Sequence, residues 1–255
     1  MNRLPLVLLH HAGGSAQIFS ELIRVLPTWV EPVLLELPGR GRRWRERPLH
    51  TATDAVNDLA DQLTRLGTSG EIAIFGHSMG AYLGLALAAR LEHGPVRCST
   101  LFASANVPPD HARPLFTGDP LVASDDEILA SADRFGGLVP EVLAHPQLRQ
   151  RTAALLRKDF AVCDSFVRTL RHTRTASRLV VFCGLEDPLC HCKLDAWRLA
   201  STADTEIVTL PGDHFYLVDH AEKVSILIAA RLANDECRAR PAGCDDDMQS
   251  TRRLV

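Results

Sequence analysis

Six short apolar runs, at 4–10, 32–37, 71–76, 98–104, 178–183 and 205–210, alternate with segments of helical period. Each run is nearly all apolar, as strands are when both faces of their sheet are covered. This alternation constrains the chain to an α/β fold, a mostly parallel sheet of about six or seven strands flanked by helices. The segment 51–67 illustrates the helical part: Val56, Leu59, Ala60, Leu63 and Leu66 fall on one face. Thr51 or Thr53 is placed to cap it and Gly67 to end it. Helices are also expected over 15–26, 79–92, 192–201 and 222–233.

The interval 107–176 breaks the rhythm. It holds no strand-like run and reads as several helices, "SDDEILASADRF", "PEVLAHP" and "QLRQRTAALLRKDFAVCDSFVRTL". The first opens on a capping box, Ser124 with Glu127 three residues on. A helical insertion between two strands of an open sheet is a natural lid over the sheet's carboxyl edge. The expected organisation is one domain over 1–233 that includes this lid, then a tail. From about Asn234 the tail has charge runs and little apolar content, a composition that favours disorder.

Composition narrows the partners. With 46% hydrophobic residues, 23% charged and a net charge of −3, nothing favours nucleic acid or an anionic membrane. No apolar run approaches the roughly 20 residues of a membrane span, and no signal-peptide pattern opens the chain. A cytoplasmic location is the expectation. The seven cysteines are scattered and odd in number, which argues against a disulfide framework. The cluster Cys190, His191, Cys192 lacks a second ligand pair at metal-binding spacing, so no metal site is expected.

Chemistry concentrates at "IAIFGHSMGAYLGLALAARL", residues 72–91. A strand-type run reaches Gly76, and a helix-type run starts just past Ser78. This strand–turn–helix context is what a nucleophile elbow requires, whereas a G-x-S-x-G pattern alone is weak. Gly76 and Gly80 leave room for the turn, and Ala81 and Gly84 let the helix lie close to the sheet. The helix start aims N–H groups and partial positive charge at the position of a developing oxyanion.

A base and an acid should stand on other loops at the same sheet edge. His214 follows the strand at 205–210; His220 falls near the next helix, and His77 points away from its neighbour Ser78. Asp187 follows the strand at 178–183, with Glu186 as the alternative; Asp213 adjoins His214 too closely to pair easily. The order Ser78, Asp187, His214 is that of α/β-hydrolases. Met79 N–H supplies one oxyanion donor. The loop "LLHHAGGSA" supplies the second, at Ala12 or its neighbour Gly13, with Ala12 preferred.

"HHAGGSA", "LPGRGRR", "GHSMGA", "LEDP" and "GDHF", in this order with a helical insertion between, resemble the type II thioesterases of polyketide and nonribosomal peptide synthesis. The resemblance covers roughly residues 4–232. It implies an α/β-hydrolase fold and hydrolysis of acyl groups from the phosphopantetheine thiol of a carrier protein, without a metal or bound organic cofactor. Such carriers are acidic, so the basic stretch "GRGRRWRERP" suggests a docking role for Arg40, Arg42 and Arg43; local salt bridges are the alternative. Two other readings of the chain stand beside this one: a carboxylesterase using the same triad, and a non-catalytic hydrolase-fold binding module.

Overall fold

A computed structural model of the chain describes residues 3–189 and 193–239. Strands β1 (Leu4–Leu9), β2 (Val30–Leu35), β3 (Gly70–His77), β4 (Val96–Ser104), β5 (Arg178–Gly184) and β6 (Thr205–Leu210) form one sheet in the order β2-β1-β3-β4-β5-β6. Every neighbouring pair is parallel. All six match the apolar runs within two residues at either end. Side chains alternate across the sheet, so the same strands feed two cores. Val7, Leu9, Ile72, Ile74, Leu101 and Val181 face one side; Leu6, Leu8, Phe75, Phe102, Val180 and Phe182 face the other.

Helices α2 (Ala52–Arg65) and α3 (Met79–Leu91) cover the first side. On the second lie α1 (Ser20–Val25), α7 (Tyr216–Asp219) and α8 (Ala221–Ala239). Thr51 is the cap of α2, its hydroxyl accepting from Asp54 N–H at 3.1 Å. Gly67, at φ +67, turns the chain out of the helix in a conformation that costs glycine little. The segment expected as a helix over 192–201 is a 3-10 helix, Leu194–Ala200. Helix α8 runs six residues beyond the expected end at 233, through Ala239. The metal-site question at Cys190, His191 and Cys192, and the tail beyond Ala239, lie outside the described residues.

The insertion folds as α4 (Asp125–Asp133), α5 (Pro140–Ala144) and α6 (Pro146–Thr169). The capping box at its start is complete: Glu127 N–H donates to the Ser124 hydroxyl and Ser124 N–H donates to the Glu127 carboxylate. Helix α6 has 24 residues, about 36 Å at the helical rise, and that length gives it two roles. Its N-terminal part, as far as Phe160, packs Ala153, Leu156 and Phe160 against Ile128, Leu129 and Ala132 of α4. Its second half sends Val162, Cys163, Phe166 and Val167 into the main core, where Phe166 stacks on Tyr82 of α3 at 4.4 Å between ring centres. The insertion therefore has a small core of its own, which α6 joins to the main core. Among the described residues no helix is long and apolar enough to cross a membrane.

Candidate active site

Ser78 stands between β3 and α3 with φ +55 and ψ −116. A non-glycine residue with positive φ is strained and persists only where its surroundings fix it. Two glycines make the turn feasible. A Cβ on Gly76 would lie 2.0 Å from the carbonyl oxygen of Gly80, and one on Gly80 would lie 2.2 Å from that of Leu9. Both obstacles are backbone and cannot rotate away. A side chain from the next strand end secures the turn: Asn106 donates from Nδ2 to the Ser78 carbonyl at 2.8 Å and accepts from Val107 N–H at 2.9 Å.

His214 lies in the loop after β6, with Nε2 3.0 Å from Ser78 Oγ and Nδ1 2.9 Å from Asp187 Oδ2. Asp187, in the loop after β5, is fully buried and His214 nearly so. The other carboxylate oxygen of Asp187 accepts from Leu189 N–H at 2.9 Å, so both oxygens are satisfied. Gly184 lets the two loops meet, since a Cβ there would stand 2.3 Å from the Asp213 carbonyl. The alternatives go elsewhere. Glu186 accepts from Gly212 N–H, Asp213 accepts from Phe215 N–H, and His220 sits between α7 and α8. Three residues far apart in sequence thus form one hydrogen-bonded chain at the carboxyl edge of the sheet.

His77 is buried beneath this chain. Its Nδ1 meets Ser104 Oγ at 2.9 Å, Ser104 in turn meets the Tyr216 hydroxyl at 2.6 Å, and the ring centre lies 5.4 Å from that of His214. Burial, then the proximity of His214 and His11, pushes the His77 pKa well below the usual imidazole value. Burial likewise takes His10 down to about 4, helped by Arg40, and His11 down to about 3, helped by His10 and His214. All three are neutral at neutral pH, His10 and His77 buried in the fold and His11 half-buried at its surface. Among the described residues no cluster of histidine, cysteine and carboxylate side chains could hold a metal ion.

A cavity of about 510 Å³ opens over Ser78. Ser78, His214, Met79, Ala12 and Gly13 line it, and Tyr82, Val107, Leu156, Phe160, Cys163 and Val167 give it an apolar wall. The insertion contributes Phe135, whose ring centre is 5.3 Å from that of His214. Met79 is the first residue of α3, where the N–H has no intrahelical partner. Of the two candidates for a second donor, Gly13 is already engaged: its N–H donates to Asp159 Oδ2 at 2.7 Å. Ala12, which lines the cavity beside His11 and Gly13, is left as the candidate whose N–H is not taken by Asp159.

The basic stretch requires a correction. Arg40, expected on a docking surface, is 5% exposed and pairs in bidentate fashion with Asp159 of α6, at 2.6 and 2.7 Å. Arg43 is held by Glu46 and Asp58 and donates to the Glu36 carbonyl. Only Arg42 of the three presents its side chain to solvent. The physical reason is local: buried or half-buried carboxylates stand within reach, and a guanidinium satisfies them in pairs.

Asn106 and Asp159 are the residues that sequence reasoning missed. Asn106 had a signal, a polar side chain two residues past a strand end at the right edge. Asp159 had a stronger one, a carboxylate on the apolar stripe of Leu156, Phe160, Cys163 and Val167.

The family model for the thioesterase domain matches residues 4–232. The chain belongs to this family. A probable cadicidin biosynthesis thioesterase of Streptomyces griseus is 31% identical over 240 residues, 93% of this chain and 64% of that one. The AMB antimetabolite synthetase AmbE of Pseudomonas aeruginosa is 33% identical over 94% of this chain but only 11% of its own length. The chain thus spans less than two thirds of either relative. Among solved structures, ClbQ from the colibactin NRPS/PKS pathway superposes with a TM-score of 0.83 at 28% identity, covering 93% of this chain and all of that one. The type II thioesterase BorB from the borrelidin biosynthetic cluster gives 0.76 at 28% identity over 90% of this chain and 93% of its own. The α/β-hydrolase fold is common to the family.

Proposed function

We propose that this thioesterase-domain protein is a type II editing thioesterase, which hydrolyses acyl groups from the phosphopantetheine thiol of acyl or peptidyl carrier proteins. The observation that carries the reading is the Ser78–His214–Asp187 hydrogen-bonded chain opening into an apolar, lid-covered cavity. Similarity to the type II thioesterase BorB and to ClbQ of an NRPS/PKS pathway supports the choice of substrate.

In this mechanism Ser78 Oγ attacks the thioester carbonyl as its proton passes to His214 Nε2. Asp187 holds the ring with Nδ1–H directed at its carboxylate and stabilises the imidazolium. The N–H groups of Met79 and Ala12 donate hydrogen bonds to the carbonyl oxygen as negative charge develops on it. Collapse expels the pantetheine thiolate, which takes the proton from His214 and leaves an ester on Ser78. Water, deprotonated by the same histidine, then hydrolyses that ester and frees the acid. The acyl chain lies along Tyr82, Phe160 and Val167, and the helical insertion serves as its lid. Docking of an acidic carrier rests on Arg42, with Arg45 and Arg47 exposed on the same loop.

Mass-spectrometric hydrolysis of short acyl groups from a carrier protein, beside p-nitrophenyl esters, tests the reading. Wild type should clear the carrier while Ser78→Ala does not, with slower turnover of the oxygen esters. Fast ester cleavage with carrier thioesters untouched would make the chain a carboxylesterase.

A further inference from the structure

The buried ion pair between Arg40 and Asp159 has a second contact that stability does not explain. Asp159 Oδ2 accepts from Arg40 Nη1 at 2.6 Å and from the backbone N–H of Gly13 at 2.7 Å. Arg40 Nη1 also reaches the Gly14 carbonyl at 3.3 Å. Both side chains are buried, Asp159 completely. Removing two charges from water offsets most of their attraction, so such a pair is weak evidence of stabilisation compared with apolar residues of similar volume. What a carboxylate there supplies and an apolar side chain cannot is an acceptor for Gly13 N–H.

Gly13 adjoins Ala12, and the peptide between them is the one whose N–H Asp159 holds. With φ +76, Gly13 has a backbone that many conformations would accommodate. Two contacts from adjacent turns of α6 restrict it. A Cβ on Gly13 would stand 2.6 Å from Leu156 Cδ2, so that side chain closes over the loop. Asp159, three residues further along the helix, fixes the N–H. The stretch of α6 that holds the loop also supplies Leu156 and Phe160 to the cavity wall.

We propose that Asp159 is a positioning residue for the oxyanion site: by holding Gly13 N–H, with Arg40 as its counter-ion, it sets the direction of the neighbouring Ala12 N–H. The inference rests on the serine-hydrolase reading above. Oxyanion stabilisation depends on donors already aimed at the developing charge, and losing one costs about a hundredfold to a thousandfold in kcat. A donor left on a loosened loop loses part of that factor, at little cost to substrate binding.

Two double variants isolate the acceptor from the charge. Arg40→Met with Asp159→Asn removes both charges and keeps an oxygen for Gly13 N–H. Arg40→Met with Asp159→Leu removes both charges and the acceptor. On a butyryl N-acetylcysteamine thioester, kcat should be at least about tenfold lower in the leucine pair than in the asparagine pair, with KM within about threefold. Affinity for butylboronic acid, whose tetrahedral adduct on Ser78 places an oxygen in the same site, should fall by a similar factor. If the leucine pair fails to fold, Asp159→Ala in the Arg40→Met background withdraws the acceptor without added bulk. Equal kcat and equal boronate affinity in the two pairs would overturn the proposal. Failure of wild type to cleave the thioester would instead count against the parent reading, and the boronate comparison still reads the oxyanion site.

Discussion

Acid should destabilise this protein well before its carboxylates titrate, and the histidines around the active site set the size of the effect. His10 and His11 ionise in the folded chain only near pH 4 and pH 3, because burial disfavours the imidazolium. In the unfolded chain both titrate at about 6.5. A base whose folded pKa is depressed contributes stability that is whole above the unfolded pKa and is lost as pH falls towards the folded one. Below pH 6.5 the unfolded state takes up protons that the native state refuses. At pH 5 each group has moved about 1.5 pH units into that window, about 2 kcal/mol apiece at 1.36 kcal/mol per unit, or about 4 kcal/mol together. His77 acts in the same direction. Against a total stability of about 5–15 kcal/mol this is a large fraction. Glu46 and Glu127 are depressed below 4.5 and fall outside the window. Asp164 opposes the trend, since burial pushes its carboxyl up. Urea unfolding at pH 7.5 and pH 5.0, at constant ionic strength and with m unchanged, measures the difference. Repeating it in Asp164→Asn removes the opposing group. A loss below about 1 kcal/mol in both proteins would refute the assignment of neutral, buried histidines.

Three further outcomes follow from the geometry. Gly80→Ala should abolish activity and lower the thermal midpoint, because its Cβ meets the Leu9 carbonyl at 2.2 Å; near-normal kcat in a folded protein would contradict the close approach. Asn106→Ala should lose about 1–3 kcal/mol of stability in urea unfolding and lower kcat more than it changes KM, since the Ser78 carbonyl loses its side-chain donor and keeps only Ala81 N–H. The thiols of Cys98 and Cys163 should resist Ellman's reagent until the protein is unfolded, as peptide mapping can follow: burial raises Cys98 to about 12 and Cys163 well above its ordinary value.

The sequence announces this fold because the inner strands β1, β3, β4 and β5 bury apolar residues on both faces. Leu6 and Val7, or Phe75 and Ile74, are buried on opposite sides of one sheet, and a run that satisfies two cores leaves little ambiguity of register. Ser78, Asp187 and His214 were legible because each follows a strand and the topology brings strand ends together. Charge was harder to read. "GRGRRWRERP" looks like a solvated basic surface, yet the fates of Arg40 and Arg43 depend on Asp159, Asp58 and Glu46, and Asp159 arrives from more than a hundred residues away. Nothing local distinguishes Arg40, which is buried, from Arg42, which is not. The 3-10 helix at Leu194–Ala200 has the composition of a short α-helix, so its tighter winding was not legible in the sequence.

The most direct measurement is the mass of the enzyme itself during turnover. Wild type mixed with an acyl carrier protein and quenched within the first turnover should gain the mass of the acyl group. Proteolysis should place it on the peptide that carries Ser78, and it should decay as free acid and free carrier thiol accumulate. Ser78→Ala should show no adduct and a rate lower by at least about a thousandfold. Clearance of the carrier at an undiminished rate by Ser78→Ala, or an adduct on another residue, would contradict the account.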